Sequence, residues 1–363
     1  MVKPFPPFQR GTKLLSLRRW GAVQRRYVVV MVLVGLGLLV NLPTLALPRF
    51  FLRRQVPKEE LFAAIPVNAK YIFDSKDALP NWKFPADVAA HQVVIAMCDN
   101  RWHPPTGYLA LSSALNKAYA NYHGHRFLAC DIDKDFTPQQ VPPNLLVVGK
   151  LHCILKAMRE MEDVRMVVYI DSDAILRNFT QTFTQFIQSN VIPPATPVPT
   201  EVLPPGMSLS SMDAFDVIVP TDCDDYQFNA GLQIWRNTPS AQQLLQLWID
   251  YTFAHNRFQY WDHEQLSFRL LWEAPDSPTA YRMATIPHGP ATWHIGTCTP
   301  KKSAYIHPSN FLPHITGRWP HARVPFMQEH IRELCLHKES PWALVGLPDC
   351  PELVHLLFLS GEE

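Results

Sequence analysis

The 363-residue chain is poor in charge: Asp, Glu, Lys and Arg make up only 18% of it, against about a quarter in ordinary soluble proteins. No acidic residue occurs before Glu59, although eleven basic ones do: Lys3, Arg10, Lys13, Arg18, Arg19, Arg25, Arg26, Arg49, Arg53, Arg54 and Lys58. The formal net charge of +1 therefore conceals two unlike parts. Beyond residue 58, 22 basic residues face 32 acidic ones, a balance of −10. A body that acidic repels a phosphate backbone, which excludes nucleic acid as the main partner. There is no CxxC pair to suggest a zinc site, and there is no internal repeat. What the chain has in excess is proline, 34 residues, about double the usual share. That favours a loop-rich fold over a helical bundle. The length fits one large domain or two ordinary ones, and 47% hydrophobic residues suffice for a sizeable core.

Residues 27–47, YVVVMVLVGLGLLVNLPTLAL, carry no charge. As a helix they extend about 31 Å, enough to cross a bilayer core. The segment is expected to be a retained signal anchor; a cleaved signal peptide and a transit peptide are the rival readings. Seven basic residues precede Tyr27 and favour a cytosolic N-terminus. The implied plan is a cytoplasmic tail (1–26), a single span (27–47), a stem (48–88), a catalytic domain (89–340) and a C-terminal extension (341–363). The expected topology is a single-pass type II membrane protein with its main domain in a secretory lumen. All seven cysteines follow the span. A lumen permits disulfides, the odd count leaves at least one thiol free or paired between chains, and the connectivity is not legible. Asn178-Phe179-Thr180 is the sequon found.

Residues 92–97 (QVVIAM) form a short apolar run leading into Cys98-Asp99-Asn100, as a buried strand enters a loop. Residues 106–123 have helical spacing and stop at Gly124. Residues 126–130 read as a strand followed by a polar turn, 151–161 as a helix, and 165–170 (RMVVYI) as a strand running into Asp171-Ser172-Asp173. The proline-rich stretch 191–206 reads as an extended loop. Strands are expected near 215–219, 231–235 and 291–295, and helices near 241–253 and 264–272. Strands alternating with helices imply an α/β fold, a mostly parallel sheet with helices on both faces. Ligands of such sheets bind beyond the carboxyl ends of the strands, which places Asp99 and the Asp171/Asp173 pair on the binding edge.

Two carboxylates one residue apart at a strand end can share a hard divalent cation completed by substrate phosphates, and such an ion offsets the charge of a diphosphate leaving group. The bland alternative is a surface turn with two acids. Asn229-Ala230-Gly231 combines an amide able to donate and accept with a glycine that allows close backbone approach. Asp222, Asp224 and Asp225 precede it. Glu264-Gln265 opens a helix, where polar side chains either face a site or cap the helix end. Trp293-His294-Ile295-Gly296 ends a strand, with Cys298, Lys301 and Lys302 after it. An imidazole there can complete a metal site, although most lone histidines are structural.

Taken in order, these segments resemble the family of Golgi type II glycosyltransferases that contains fungal α-galactosyltransferases and α-mannosyltransferases and plant xyloglucan xylosyltransferases. The matching pieces are Leu115-Asn116-Lys117-Ala118-Tyr119, Gly149-Lys150-Leu151, Tyr169-Ile170-Asp171-Ser172-Asp173-Ala174, Phe228-Asn229-Ala230-Gly231, Arg236-Asn237-Thr238, the Gln265 helix and His294…Cys298. They span roughly residues 91–300. The resemblance implies a GT-A (Rossmann-like) fold, a nucleotide-sugar donor and retention of anomeric configuration. Asp171, Asp173 and His294 match metal ligands. Asp99, Asn116, Tyr119, Lys150, Ser172, Gly231 and Lys301 fall at donor-binding positions. Asp225, Asn229 and Gln265 fall at the reacting centre, with Glu264 where the family carries Asp.

The expected function is metal-dependent transfer of a hexose or pentose to a glycan or glycoprotein acceptor at the Golgi membrane. Mn²⁺ or Mg²⁺ is the expected ion. A UDP-sugar is the first candidate donor and GDP-mannose the second. Front-face attack by the acceptor hydroxyl and double displacement through Asp225 or Glu264 both stay open, as does homo-oligomerisation. The alternatives are a catalytically silent lumenal binding protein and a DxD phosphatase.

Overall fold

A computed structural model describes residues 87–190, 215–221, 229–255, 263–273, 283–286, 311–315 and 320–359, and the backbone of 292–295. All lie in the second of the two units into which the chain divides, Val56–Glu363. The apolar stretch 27–47, the proline-rich stretch 191–206, Asp225 and Lys301 lie outside the described residues. Among the described residues no helix is long and apolar enough to cross a membrane.

Strand β1, Val93–Asp99, is buried along its whole length. Its alternate side chains feed two cores: Val93, Ile95 and Met97 enter one, and Val94, Ala96 and Cys98 the other, as the two-residue period of a strand covered on both faces requires. Helix α1, Gly107–His123, ends at Gly124, whose φ of 68° is left-handed, a conformation glycine adopts without a Cβ clash. Strand β2, Arg126–Asp131, lies parallel to β1. Helix α2, Gly149–Glu160, then leads to strand β3, Met166–Ile170, parallel to the other side of β1.

After helix α3, Phe183–Asn190, come strands β4, Val217–Pro220, and β5, Leu232–Arg236, then helices α4, Pro239–His255, and α5, His263–Glu273. Strand β6, Met283–Ile286, completes a six-stranded sheet of order β2-β1-β3-β5-β4-β6. Only β5 runs against its neighbours. The sheet is thus mixed but mostly parallel, as the alternating pattern implies. Helices α2, α4 and α5 line one face; α1 and α3 line the other.

Of the elements that follow, the strand expected near 291–295 is present, and the others are not apparent in the sequence pattern. Strands β7, Thr292–Ile295, and β8, Leu312–Ile315, form a parallel pair. Helix α6, Pro320–Cys335, and helix α7, Cys350–Leu359, follow. Both pack on α1 and on each other, and the Cys335–Cys350 disulfide joins them. Asn121 Nδ2 donates to Asp349 Oδ1 at 3.1 Å. Residues 341–359 are therefore packed against the α1 layer. A second disulfide, Cys130–Cys153, ties β2 to α2, and Cys98 is a buried thiol.

The C-terminal end of α1 carries a pH-sensitive contact. His123 lies 4.4 Å from the Tyr119 ring and 5.7 Å from the His125 ring, centre to centre. Burial, then the neighbouring His125, lowers its pKa to about 4, against a small opposing bond from the Phe179 backbone. Its unfolded value is about 6.5, so the unfolded chain binds more protons between the two values. This contribution to stability is therefore intact above pH 6.5 and lost as the pH falls toward 4. Urea unfolding midpoints should decline across that window, and less steeply in His123→Gln. An unchanged slope in the variant would refute the assignment.

Candidate active site

The site is built where β3 ends. The Asp171 N–H donates to the Gly231 carbonyl at 2.9 Å, which fixes the first aspartate to the start of β5. The next residues run beside β8: Ile315 N–H donates to Asp173 O at 2.9 Å, Ile175 N–H to Pro313 O at 3.1 Å and Arg177 N–H to Phe311 O at 3.0 Å. Ala174 and His314 form an antiparallel bridge. Backbone hydrogen bonds alone therefore bring His314 to Asp171 and Asp173, although 141 residues separate it from Asp173.

His314 Nε2 lies 2.9 Å from Asp173 Oδ1 and 3.9 Å from Asp171 Oδ2. One ligand atom from each of the three residues lies within 4.8 Å of the others. A divalent cation with bonds of about 2.1 Å spans donors about 4.2 Å apart, so two carboxylates and an imidazole close on one ion after a small adjustment. The set fits a hard or borderline ion such as Mg²⁺ or Mn²⁺. Gly231 makes room for the His314 ring. A Cβ there would fall 2.3 Å from His314 Cε1, 2.7 Å from Nδ1 and 2.9 Å from Asn229 Oδ1.

The charges around the set are paired. Lys150, from the first turn of α2, places Nζ 3.0 Å from Asp171 Oδ1 and 2.9 Å from Glu264 Oε1. Burial lowers the pKa of this ammonium, but Asp171 and Glu264 outweigh burial and the net direction is upward. Asp173 also receives Arg323 Nη2 on Oδ2 at 2.6 Å. Burial opposes ionisation of Asp173, yet His314 and Arg323 prevail and its pKa falls. His314 is raised: burial works against its cation, and Asp173, then Asp171, overcome that.

Beside this set lies a cavity of about 270 Å³, lined by Asp99, Arg101, Ile132, Val147, Lys150, Tyr169 and the Asp171–Asp173 run, among others. Asp99 is held by a fork from Arg101, with Nε at 2.7 Å and Nη2 at 2.5 Å. Burial would raise the Asp99 pKa, but bonds from Arg101 and Ser172 bring it down. On the other side of Gly231, Asn229 Oδ1 accepts the Gly231 N–H at 2.8 Å and Gln265 Oε1 accepts the Ala230 N–H at 3.1 Å.

The structure therefore brings together Asp99, Lys150, Asp171, Ser172, Asp173, Asn229, Gly231 and Gln265 of the residues singled out in the sequence. Lys150 is a buried counter-ion of Asp171 and Glu264, 9% exposed, in addition to lining the cavity. Asn116 and Tyr119 sit beneath the site. Asn116 is fully buried, donating to Ala174 O at 3.0 Å and accepting from Leu176 N–H at 2.8 Å, so it holds the chain that follows Asp173. Tyr119, also fully buried, donates to Gln181 O at 2.6 Å and packs edge-on against Phe179, Phe183 and Phe311. Their physical role here is support. His294 lies on β7 as the Cα partner of His314; its side chain is outside the described residues.

His314 and Arg323 were not singled out in the sequence. A local signal existed for the first: His294-Ile295-Gly296 and His314-Ile315-Thr316-Gly317 are similar short runs, each ending an apolar stretch. Arg323 carries no comparable signal, since only the fold of α6 brings it back.

A sheet of this kind, with three side chains able to hold a cation and a cavity beyond its strand ends, suits an enzyme that handles an anionic donor. A sequence model of the galactosyl transferase GMA12/MNN10 family matches residues 89–288. The chain belongs to that family and is a glycosyltransferase, which sets the phosphatase reading aside. No curated protein sequence matches the chain.

Similar solved structures include a glycosyltransferase involved in glycosylation of the major capsid of PBCV-1. It is 15% identical over 65% of this chain and 98% of its own, with a TM-score of 0.44. The glycosyltransferase GlyE of Streptococcus pneumoniae is 13% identical over 62% of this chain and 55% of its own, TM-score 0.37. The galactosyltransferase LgtC, solved with donor and acceptor sugar analogues, is 13% identical over 72% of this chain and 94% of its own, TM-score 0.36. The family match carries the assignment.

Replacing Gly231 by Ala should push the His314 ring away from Asp173. The expected cost is about 10–100-fold in affinity for a divalent cation, typical of disturbing the support of a ligand. Isothermal titration with Mn²⁺ reads it directly, and unchanged affinity would contradict the packing argument.

Proposed function

We propose that this chain is a divalent-cation-dependent, retaining glycosyltransferase of GT-A architecture that moves a hexose or pentose from a nucleotide sugar to a glycan or glycoprotein acceptor. A UDP-sugar is the first candidate donor and GDP-mannose the second. The observation that carries the reading is the convergence of Asp171, Asp173 and His314 beside the Lys150 cavity. The bound ion, Mn²⁺ or Mg²⁺, would offset the negative charge of the departing diphosphate. Asp171 and Asp173 would hold it with His314; His294 is the alternative nitrogen ligand.

The protein's own groups have separable tasks. Lys150 keeps the Asp171 carboxylate in place. Asp99 and Ser172 line the donor cavity, with Lys301 as a further donor-binding candidate. Gln265, bound through Oε1 to the Ala230 N–H, keeps its amide N–H groups for the substrate side. With Asn229 and Asp225 it would orient the donor sugar and the acceptor hydroxyl for front-face attack. Glu264 is less suited to act as a nucleophile for double displacement: it is 6% exposed and its carboxylate is paired with Lys150.

Assaying the purified protein against a panel of nucleotide sugars tests this. Transfer should need Mn²⁺ or Mg²⁺ and should stop in Asp171→Ala and Asp173→Ala; full activity in excess chelator would overturn it.

We also propose a Golgi membrane location, from the family resemblance, with a type II orientation, which the uncharged segment 27–47 and the seven basic residues, with no acidic one, before it support. In sealed vesicles a C-terminal tag should resist added protease until detergent is present. Digestion without detergent would reverse the orientation.

A further inference from the structure

Arg323 lies beyond the residues matched by the family and has no task in the account above. It stands in the first turn of α6 and makes three contacts of different kinds. Nη2 donates to Asp173 Oδ2 at 2.6 Å, and Nε donates to the Ile315 carbonyl at 2.9 Å. The guanidinium carbon lies 4.6 Å from the centre of the Tyr108 ring, and Arg101 lies 4.8 Å from the same ring. Since Arg101 lines the donor cavity and is held by Asp99, Arg323 stands one aromatic ring away from that cavity. Contacts run without a break from Asp99 through Arg101, Tyr108 and Arg323 to Asp173.

Asp173 is therefore shared. Oδ1 faces His314 and Oδ2 faces Arg323, so a cation of the protein's own already neutralises the carboxylate that completes the metal set. A divalent ion must either take Asp173 away from Arg323 or tolerate a second positive charge a few ångströms away. Both cost free energy in a site this buried. An arriving diphosphate removes the conflict, because it gives Nη2 a new acceptor. The remaining contacts of Arg323, to the Ile315 carbonyl and the Tyr108 ring, do not involve Asp173 and keep the guanidinium at the site during the exchange. A guanidinium offers paired donors that match phosphate oxygens.

We propose that Arg323 couples metal binding to diphosphate binding, holding Asp173 in the absence of donor and turning Nη2 to the diphosphate once donor and ion are both present. The inference rests on the metal site proposed above and extends it to the order of events. The ion alone binds weakly, and the nucleoside diphosphate strengthens it by more than chelation in solution provides.

Free Mn²⁺ can be titrated by electron paramagnetic resonance, with and without saturating UDP or GDP, in the unmodified protein, in Arg323→Met and in Arg323→Gln. Both variants should bind Mn²⁺ alone about 5–10-fold more tightly, and the strengthening by nucleotide should shrink by a similar factor, within the range of ordinary site-to-site coupling. Arg323→Gln keeps a donor for the Ile315 carbonyl and supplies the result if Arg323→Met does not fold. If either folded variant binds Mn²⁺ more weakly, Arg323 merely supports Asp173 and the proposal fails. Equal coupling in variant and unmodified protein overturns it as well. Failure of the unmodified protein to bind Mn²⁺ with any nucleotide would instead overturn the metal site itself.

Discussion

The His314 ring rests against Gly231, and the site depends on that contact. The carbonyl of Gly231 receives the Asp171 N–H, its own N–H is taken by Asn229, and its missing side chain leaves the volume in which the imidazole lies. Three distant parts of the chain meet there: the end of β3, the start of β5, and β8. The end of β3 is joined to each of the other two through backbone groups, whose geometry is set by the sheet and not by rotamers. That rigidity suits a cation site, where ligand atoms must be held to within a few tenths of an ångström.

The second constraint is charge. Asp171, Asp173 and Glu264 are gathered at one strand end, and Lys150, Arg323 and His314 are set among them. Buried carboxylates without such partners would take up protons. The paired arrangement instead keeps Asp173 ionised and ready for an ion, at the cost of competition for its oxygens. In energetic terms such pairs add little net stability; what they provide here is a preset geometry. The supporting layer is equally specific: Asn116 bonds to both sides of the chain that follows Asp173, and Arg177 reaches Glu333 of α6 at 2.8 Å.

The sheet was largely legible in the sequence because its strands are continuous apolar runs bounded by turn residues. β1, β2 and β3, with α1 and α2 between them, fall within a residue or two of their expected positions. The Asp171/Asp173 pair was legible for the same reason, as charge placed directly after a buried strand. β8, α6 and α7 were not. β8 is four residues long and contains Pro313, α6 contains Pro325 in its interior, and neither shows the period of its class. Local pattern cannot reveal a histidine whose position is set by hydrogen bonds to residues 173–177, nor an arginine that reaches Asp173 from a helix 150 residues away. Asn116 and Tyr119 show the reverse case. The family resemblance puts them at donor-binding positions, and in the structure both are fully buried beneath the residues they support.

The central claim is that Asp171, Asp173 and His314 hold one divalent ion. Pulsed electron paramagnetic resonance on the Mn²⁺-loaded protein tests it most directly, because a coordinated imidazole imprints a ¹⁴N modulation on the metal signal. The account expects that modulation in the unmodified protein and in His294→Gln, and its loss in His314→Gln. Modulation that persists in His314→Gln but vanishes in His294→Gln would contradict it.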